Sequence, residues 1–111
     1  MDFLFLTFFY TWLKSINTYR KPFQPGSGNL QVLSLHQHGA EQIALVRWPT
    51  GEHFQEHSHF GGEEIYVISG ELKDEYGSYP AGTWIRSPHL SEHFPLVEEE
   101  TLIWVKVGHL G

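Results

Sequence analysis

Short β-rich runs of mainly apolar residues, separated by turn-forming residues, dominate the chain from residue 30 onward. In an extended strand successive side chains point to opposite faces, so residues two apart share a face. Turn-forming residues separate the runs, as in Pro-Thr-Gly at 49–51 and Pro-Ala-Gly at 80–82. The predicted strands cover residues 30–35, 42–48, 64–69, 83–86 and 101–107. Several short strands at this spacing predict an all-β fold, either an antiparallel sandwich or a barrel.

The first 29 residues have a different character. Residues 1–13 are almost wholly apolar, and residues 20–29 contain two prolines and two glycines and predict a loop. The apolar run is shorter than the roughly 20 residues that span a bilayer, and no small-residue cleavage site typical of a secretory signal follows it. We expect it to cover the core or an oligomer interface, with a membrane-surface anchor as the alternative. Residues 1–29 are thus predicted to be an apolar extension and loop, and residues 30–111 the compact domain.

Composition narrows the possible functions. A chain of 111 residues suits one domain with one modest core. The formal charge of −6 argues against nucleic acid as a partner. The absence of cysteine excludes disulfides, thiolate zinc sites and a cysteine nucleophile, and it fits a cytoplasmic location. Aromatic residues are plentiful, and Trp48, Trp84 and Trp104 lie in predicted strands, where we expect them in the core.

A candidate metal site occupies the middle of the chain. His57 and His59 are two residues apart, so in an extended strand they share a face. Gly61 and Gly62 allow a tight turn that returns Glu63 to the same point. Two imidazole nitrogens and one carboxylate oxygen form half of a divalent-metal site. A fourth ligand is expected downstream, and we place it at His93.

Glu64 competes with Glu63 for the carboxylate position. Strand alternation places Glu63 on one face with Ile65 and Val67, and Glu64 on the opposite face with Tyr66. If the apolar pair faces inward, Glu63 is the ligand. We therefore prefer Glu63.

The remaining histidines are weaker candidates. His36 and His38 form a second His-x-His pair, but no carboxylate follows four residues later and no flanking glycines match. A short motif of this kind has a high false-positive rate on its own. We expect His36, His38, His53 and His89 to be surface residues or to form hydrogen bonds with a metal ligand without binding the metal themselves.

The spacing of the candidate ligands resembles the first motif of the cupin superfamily, G-x5-H-x-H-x3,4-E-x6-G. Every fixed position of that motif is present, at Gly51, His57, His59, Glu63 and Gly70. A motif of five fixed positions is far more specific than an isolated His-x-His pair.

The second cupin motif, G-x5-P-x-G-x2-H-x3-N, is matched in part. Gly82, Pro88 and His93 occupy its positions, whereas Leu90 replaces the second glycine and Val97 replaces the asparagine. The resemblance thus implies that His93 is the metal ligand of the second motif.

A narrower resemblance covers residues 42–107. The stretch HSHFGGEEIYVISGELKDEYGSYPAGTWIRSPHLSEH looks like the cupin-like domain of the anti-sigma factor ChrR and its stand-alone relatives, including a short D-E-x-G-x-Y-P-A-G hairpin. This resemblance implies a small double-stranded β-barrel (cupin or jelly roll) with one divalent metal ion, either zinc, iron, manganese or nickel. The implied ligands are His57, His59, Glu63 and His93. No part of the chain resembles a sigma-binding helical domain, so the anti-sigma role is not implied.

The ligand count leaves two functions open. Four protein ligands fill a tetrahedral zinc shell, which suits a non-catalytic zinc- or ligand-sensing domain. The same four ligands around six-coordinate iron, manganese or nickel leave two positions open, which suits an oxygenase or isomerase acting on a small organic molecule. A metal-free epimerase-like cupin is disfavoured because all four ligand positions are present. We also expect a homodimer, because a domain of this size covers its apolar sheet faces and strand edges poorly.

Overall fold

A computed structural model of the protein describes residues 13–53, the backbone of residues 57 and 58, and residues 60–110. All regular structure in these residues is β. The strands are β1 (Gln24–Pro25), β2 (Gln31–His38), β3 (Glu41–Trp48), β4 (His57–Ser58), β5 (Glu63–Ser69), β6 (Glu71–Asp74), β7 (Gly77–Pro80), β8 (Trp84–Ser87), β9 (Glu92–His93) and β10 (Thr101–Val107).

Six strands form one antiparallel sheet in the order β1-β2-β3-β10-β5-β8. All five strands predicted from the β-rich runs belong to this sheet, and the one at residues 101–107 has the predicted limits. The others differ from the prediction by up to three residues at an end. The prediction succeeds here because these strands are mainly apolar, β-rich runs that turn residues separate, and one face of the sheet packs on the core.

A second, smaller layer faces this sheet. It contains the β6–β7 hairpin and the β4–β9 pair. Leu96, which follows β9, forms β-bridges with Lys73 of β6 and with His53, which precedes β4. The backbone N–H of Leu96 donates to the Lys73 carbonyl at 2.8 Å, and the Lys73 N–H donates to the Leu96 carbonyl at 2.9 Å. Two facing antiparallel layers form the double-stranded barrel that the resemblance implies. The hydrogen-bonded strands do not form a closed ring in the described residues.

The core lies between the two layers. The large sheet contributes inward residues such as Val46, Ile65 and Ile103, and the small layer contributes Leu72 and Val97. Val97 replaces the asparagine of the second motif and is buried in this cluster, so an apolar side chain suits the position.

The three strand tryptophans have different environments. Trp48 is buried as predicted, and Trp104 is half-buried. The prediction for Trp84 is wrong, because its residue is 57% exposed. Its neighbour Ile85 packs against the core, so alternation along β8 turns Trp84 to the opposite face.

The predicted apolar segment at residues 1–13 lies outside the described residues, apart from Leu13, which is exposed. Residues 20–29 form a loop as predicted, except that Gln24 and Pro25 pair with Val32 and Gln31 of β2. No helix in residues 13–53 or 60–110 is long and apolar enough to cross a bilayer.

Candidate metal centre

A two-glycine turn delivers Glu63 to the start of β5. Gly61 and Gly62 have φ angles of 80° and 76°, in the left-handed region that favours glycine. A Cβ atom on Gly61 would lie 2.6 Å from the Cα of Gly108, so a larger residue would also clash. The Gly61 N–H donates to Nδ1 of His89 at 2.7 Å. His89 therefore supports the turn that precedes the candidate carboxylate ligand.

Glu63 and its neighbour Glu64 face opposite sides of the sheet, as strand alternation predicts. Glu63 is 9% exposed, and burial raises the pKa of its carboxyl from 4.5 to about 7. Glu64 lies on the outer side, where its Oε1 is 3.0 Å from Nε2 of His109. The hydrogen bond with His109 holds the pKa of Glu64 below its usual value. Desolvation thus determines the direction of the pKa shift of the inward carboxylate, whereas the hydrogen bond with His109 outweighs desolvation at Glu64.

His93 lies at the end of β9 and is 7% exposed. Its Nε2 is 3.6 Å from Oε1 of Glu63, although the two residues come from opposite layers of the barrel. The turn before it contains Leu90 with a φ of 65°, the one left-handed non-glycine residue in the described part of the chain. Leu90 occupies the position where the second motif has glycine, so the turn keeps its left-handed backbone despite the substitution.

His57 and His59 are placed only in part. The β4–β9 ladder pairs His57 directly with His93, but only the backbone of His57 is described, and His59 lies outside the described residues. The described side chains therefore include two of the four predicted ligands, Glu63 and His93. No group of three or more histidine, aspartate or glutamate side chains with metal-binding geometry occurs in the described residues.

The geometry of Glu63 and His93 fits two ligands of one ion. A separation of 3.6 Å between Oε1 and Nε2 is too long for a good hydrogen bond. Two donors that each lie about 2.1 Å from a tetrahedral ion are about 3.4 Å apart. A carboxylate oxygen and a neutral imidazole nitrogen are also a donor set that zinc and first-row transition metals accept.

Asp74 is the residue in this site that the sequence reasoning did not single out. Its side chain is 6% exposed, and its Oδ2 lies 3.3 Å from Nδ1 of His93. The Tyr79 hydroxyl donates to its other oxygen, Oδ1, at 3.0 Å. Burial and this bond raise the pKa of Tyr79 to about 12. The hairpin letters D-E-x-G-x-Y contain both residues, but only the fold brings Asp74 to a histidine 19 positions away.

A cavity of about 200 Å³ lies beside these groups, between the two layers. Its described wall is mainly apolar, with Glu63 and His93 as the two ionisable residues. The lining residues are Ser27, Leu30, Val32, Val46, Trp48, Glu63, Ile65, Leu72, His93, Pro95, Ile103 and Val105. The pair of candidate ligands therefore faces a small apolar space.

The other histidines do not line this cavity in the described residues. His36 and His38 lie at the end of β2, where they pair with Ile43 and Glu41 of β3. His53 is exposed and takes part in the bridge to Leu96. His38 and His53 are exposed, as expected for surface residues, whereas His36 is half-buried.

Comparison with known proteins identifies the family. The family model described as the ChrR cupin-like domain matches residues 14–111. No curated protein matches the chain significantly.

Solved structures share the fold at low identity. The crystal structure of Rhodobacter sphaeroides SigE in complex with the anti-sigma ChrR aligns with a TM-score of 0.73 at 22% identity, covering 82% of this chain and 51% of that chain. This chain thus spans about half the length of that one. An acetylacetone dioxygenase from Acinetobacter johnsonii aligns with a TM-score of 0.77 at 16% identity, covering 86% of this chain and 73% of the other.

A putative acetylacetone dioxygenase from Methylibium petroleiphilum PM1 aligns with a TM-score of 0.79 at 16% identity, covering 89% of this chain and 77% of the other. Such identities establish a shared fold and not a shared activity. The family match covers almost the whole chain, and both cupin motifs lie inside it. The chain belongs to the ChrR cupin-like domain family.

Proposed function

We propose that this protein binds one divalent metal ion through His57, His59, Glu63 and His93. The observation that supports the proposal most is the buried contact between Glu63 and His93, with 3.6 Å between Oε1 and Nε2. Burying a carboxylate in an apolar cavity is costly unless a positive charge or donors compensate for the lost water. A divalent cation between these two atoms would provide that compensation.

The register of the small layer supports His57 as a further ligand. Residues paired directly across an antiparallel ladder lie on the same face of the sheet. His57 pairs with His93 in this way. His59 enters the proposal through the first motif, whose spacing from Gly51 to Gly70 is complete.

Metal analysis of protein purified without an affinity metal tests the proposal. We expect about one equivalent of divalent metal in the wild type and a loss of metal in the double variant His57→Ala/His59→Ala. The double variant His36→Ala/His38→Ala is the matched control, because it removes the other His-x-His pair and should retain the metal. Equal loading of the wild type and the His57→Ala/His59→Ala variant would refute the site.

We further propose that the metal site is catalytic and acts on a small organic molecule, as an oxygenase or isomerase. The cavity of about 200 Å³ suits a ligand of only a few heavy atoms, and its apolar wall would bind the hydrocarbon part and exclude water. The acetylacetone dioxygenases that share the fold support a small diketone as the first substrate to try. A bound ion would supply Lewis-acid or redox chemistry at the polar end of the cavity.

Oxygen consumption separates the catalytic proposal from its alternative. We expect protein loaded with Fe(II) to consume oxygen when a small diketone is added, and protein loaded with zinc to remain inert. Glu63→Gln loaded under the same conditions should lose the activity, whereas Glu64→Gln should keep it. No oxygen consumption with any first-row metal would contradict the oxygenase form of the proposal and favour a sensing role.

The second candidate is a non-catalytic zinc- or ligand-sensing cupin domain. Membership of the ChrR cupin-like family favours it, and four protein ligands would complete a tetrahedral zinc shell. A sigma-binding role is not proposed, because this chain aligns with only 51% of the ChrR-complex chain. Zinc binding that changes the protein's unfolding temperature without any turnover would support this candidate.

We also propose that the protein is a homodimer through the outer face of the large sheet. Trp84 on the edge strand β8 is exposed and pairs in register with exposed Tyr66. An edge strand with exposed aromatic residues is a surface that a second copy would cover. We expect a dimer by light scattering at micromolar concentration, weakened at least tenfold by Trp84→Ser. Tyr76→Ser, an exposed aromatic on the β6–β7 turn, should have no effect, and a wild-type monomer would refute the proposal.

A further inference from the structure

Asp74 ends strand β6 with its side chain buried against the candidate site. Its Oδ1 accepts three hydrogen bonds within its own hairpin. The donors are the N–H of Tyr76 at 2.8 Å, the N–H of Gly77 at 3.1 Å and the hydroxyl of Tyr79 at 3.0 Å. This one oxygen therefore holds the turn between β6 and β7 together with the backbone pairing of Asp74 and Gly77.

The second oxygen of Asp74 has a different partner. Oδ2 lies 3.3 Å from Nδ1 of His93, which belongs to the neighbouring strand pair. Since the hairpin bonds use Oδ1, the turn does not explain why Oδ2 faces an imidazole. An ionised carboxylate only accepts hydrogen bonds, so the Nδ1 that faces it must carry a proton.

The tautomer of His93 follows from this contact. A neutral imidazole carries one proton, so a proton on Nδ1 leaves the lone pair on Nε2. Nε2 is also the atom on the Glu63 side of the ring, 3.6 Å from Oε1. Histidines that bind metals commonly donate their other ring N–H to a carboxylate, which fixes both the ring and its tautomer.

We propose that Asp74 is a positioning residue that holds His93 with its proton on Nδ1, so that Nε2 faces the metal with its lone pair. The inference rests on the proposed metal function, since it assigns a role to a residue that contacts a proposed ligand, His93. Asp74 itself does not contact the ion. Its effect on binding passes entirely through the orientation and tautomer of His93.

Asp74→Asn is a sharp test because the hairpin determines how the new amide must sit. Three donors converge on the Oδ1 position, so the amide oxygen will occupy it and the NH₂ group will face Nδ1 of His93. A donor at that place requires a lone pair on Nδ1 and moves the imidazole proton to Nε2. The substitution thus inverts the tautomer while it preserves the size of the side chain and the hairpin turn.

The first measurement uses the metal-free protein and nitrogen-15 NMR of the imidazole rings, at a pH where the His93 ring is neutral. The His93 signals are identified by their loss in His93→Gln. We expect the proton on Nδ1 in the wild type and on Nε2 in Asp74→Asn. A wild-type ring protonated on Nε2 would overturn the proposal, even if the variant failed to fold.

The second measurement is metal affinity by competition with a chelator, with Zn(II) as the probe. We expect Asp74→Asn to bind about 10- to 100-fold more weakly than the wild type. Tyr79→Phe is the matched control, since it removes one donor to Oδ1 and leaves Oδ2 facing His93; it should change the affinity by less than about threefold. Equal affinity of Asp74→Asn and the wild type would contradict the proposal.

The two measurements separate this inference from the proposed function. A wild-type protein that binds no metal but shows the expected tautomers would refute the metal site and leave the positioning of His93 by Asp74 intact. A wild-type protein that binds metal, but whose His93 ring carries its proton on Nε2 in the metal-free state, would refute the role of Asp74 and leave the metal site intact.

Discussion

Two neighbouring glutamates on β5 occupy opposite environments. Glu63 faces the apolar cavity beside His93, and burial raises its pKa to about 7. Glu64 faces outward, where a hydrogen bond with His109 and the nearby charges of Lys106 and Arg86 lower its pKa. The chemistry of the two side chains is identical. Only the side of the sheet differs.

This comparison shows how the two faces of the sheet differ in the cost of ionising a carboxylate. On the outer face, water and neighbouring cationic groups solvate a carboxylate, so its ionisation costs little. On the inner face burial disfavours the ionised form of Glu63, and a cation held with His93 would stabilise that form. The inner carboxylate is therefore the one suited to metal binding, and the contrast between the two faces can be tested pair by pair.

The largest expected difference is in metal affinity. Glu63→Gln removes a charged oxygen ligand, so we expect its affinity for Zn(II) to fall by at least about 100-fold. Glu64→Gln has the same chemical change on the outer face and should alter the affinity by less than about threefold. Chelator competition measures both values. Similar losses in the two variants would mean that the assignment of the inner carboxylate as the ligand is wrong.

The pH dependence of stability is the next test. The Glu63 carboxyl has a pKa of 4.5 when exposed and about 7 when buried, so in the metal-free protein the unfolded chain releases this proton first as the pH rises. Stability is thus highest below pH 4.5 with respect to this group, falls between pH 4.5 and about 7, and stays low above that. The expected loss is about 3 kcal/mol in the free energy of unfolding.

The control for this pH effect is a comparison of the same substitution at the two neighbouring glutamates, Glu63 and Glu64. Other groups titrate in the same range, so the informative quantity is the difference between wild type and variant in urea-unfolding experiments. Glu63→Gln should lack the decline, and Glu64→Gln should retain it. Parallel curves for the wild type and Glu63→Gln would show that burial does not perturb this carboxyl.

A second neighbouring pair on β5 tests the two faces by packing alone. Val67 is 0% exposed in the core, whereas Ile68 is 42% exposed on the other face. We expect Val67→Ala to cost about 2 kcal/mol, through lost burial and a cavity, and Ile68→Ala to cost less than about 1 kcal/mol. Thermal unfolding gives both. An Ile68→Ala loss that matches Val67→Ala and grows with protein concentration would indicate that a second copy covers the outer face.

The smallest effect is expected in the turn that leads to His93. Leu90 has a φ of 65°, a conformation that costs a non-glycine residue about 1–2 kcal/mol. Leu90→Gly should remove this strain, but glycine loses more backbone entropy on folding, so we expect a net stabilisation of about 0.5–1 kcal/mol. Leu90→Ala shortens the side chain and keeps the strain, so it should not stabilise. A stabilisation of equal size in both variants would show that the side chain, and not the backbone, is responsible.

The sequence predicted the large sheet because its strands are β-rich, mainly apolar runs between turn residues. Thr101–Val107 has apolar residues at five of its seven positions and packs Ile103 in the core. Strand alternation predicted that Glu63 faces inward and Glu64 outward. Alternation also explains the wrong prediction for Trp84, because β8 turns Ile85 to the core and Trp84 to the opposite face.

Long-range contacts set the limit of the prediction. The β6–β7 hairpin is rich in polar residues and gives no alternation signal, and its edge is held by backbone bonds between Lys73 and Leu96. Asp74 reaches His93 only because that hairpin packs beside β9. No local sequence pattern predicts either contact. The motifs therefore indicated the candidate ligands but not Asp74, which contacts one of them.

X-ray absorption at the metal edge tests the central claim most directly, since the fine structure reports how many nitrogen or oxygen atoms surround the ion and how many of them belong to imidazole rings. For wild-type protein loaded with one equivalent of Zn(II), we predict three imidazole nitrogens and one carboxylate oxygen in the first shell. Those ligands would be His57, His59, His93 and Glu63. A first shell with a single imidazole, or with none, would contradict the account.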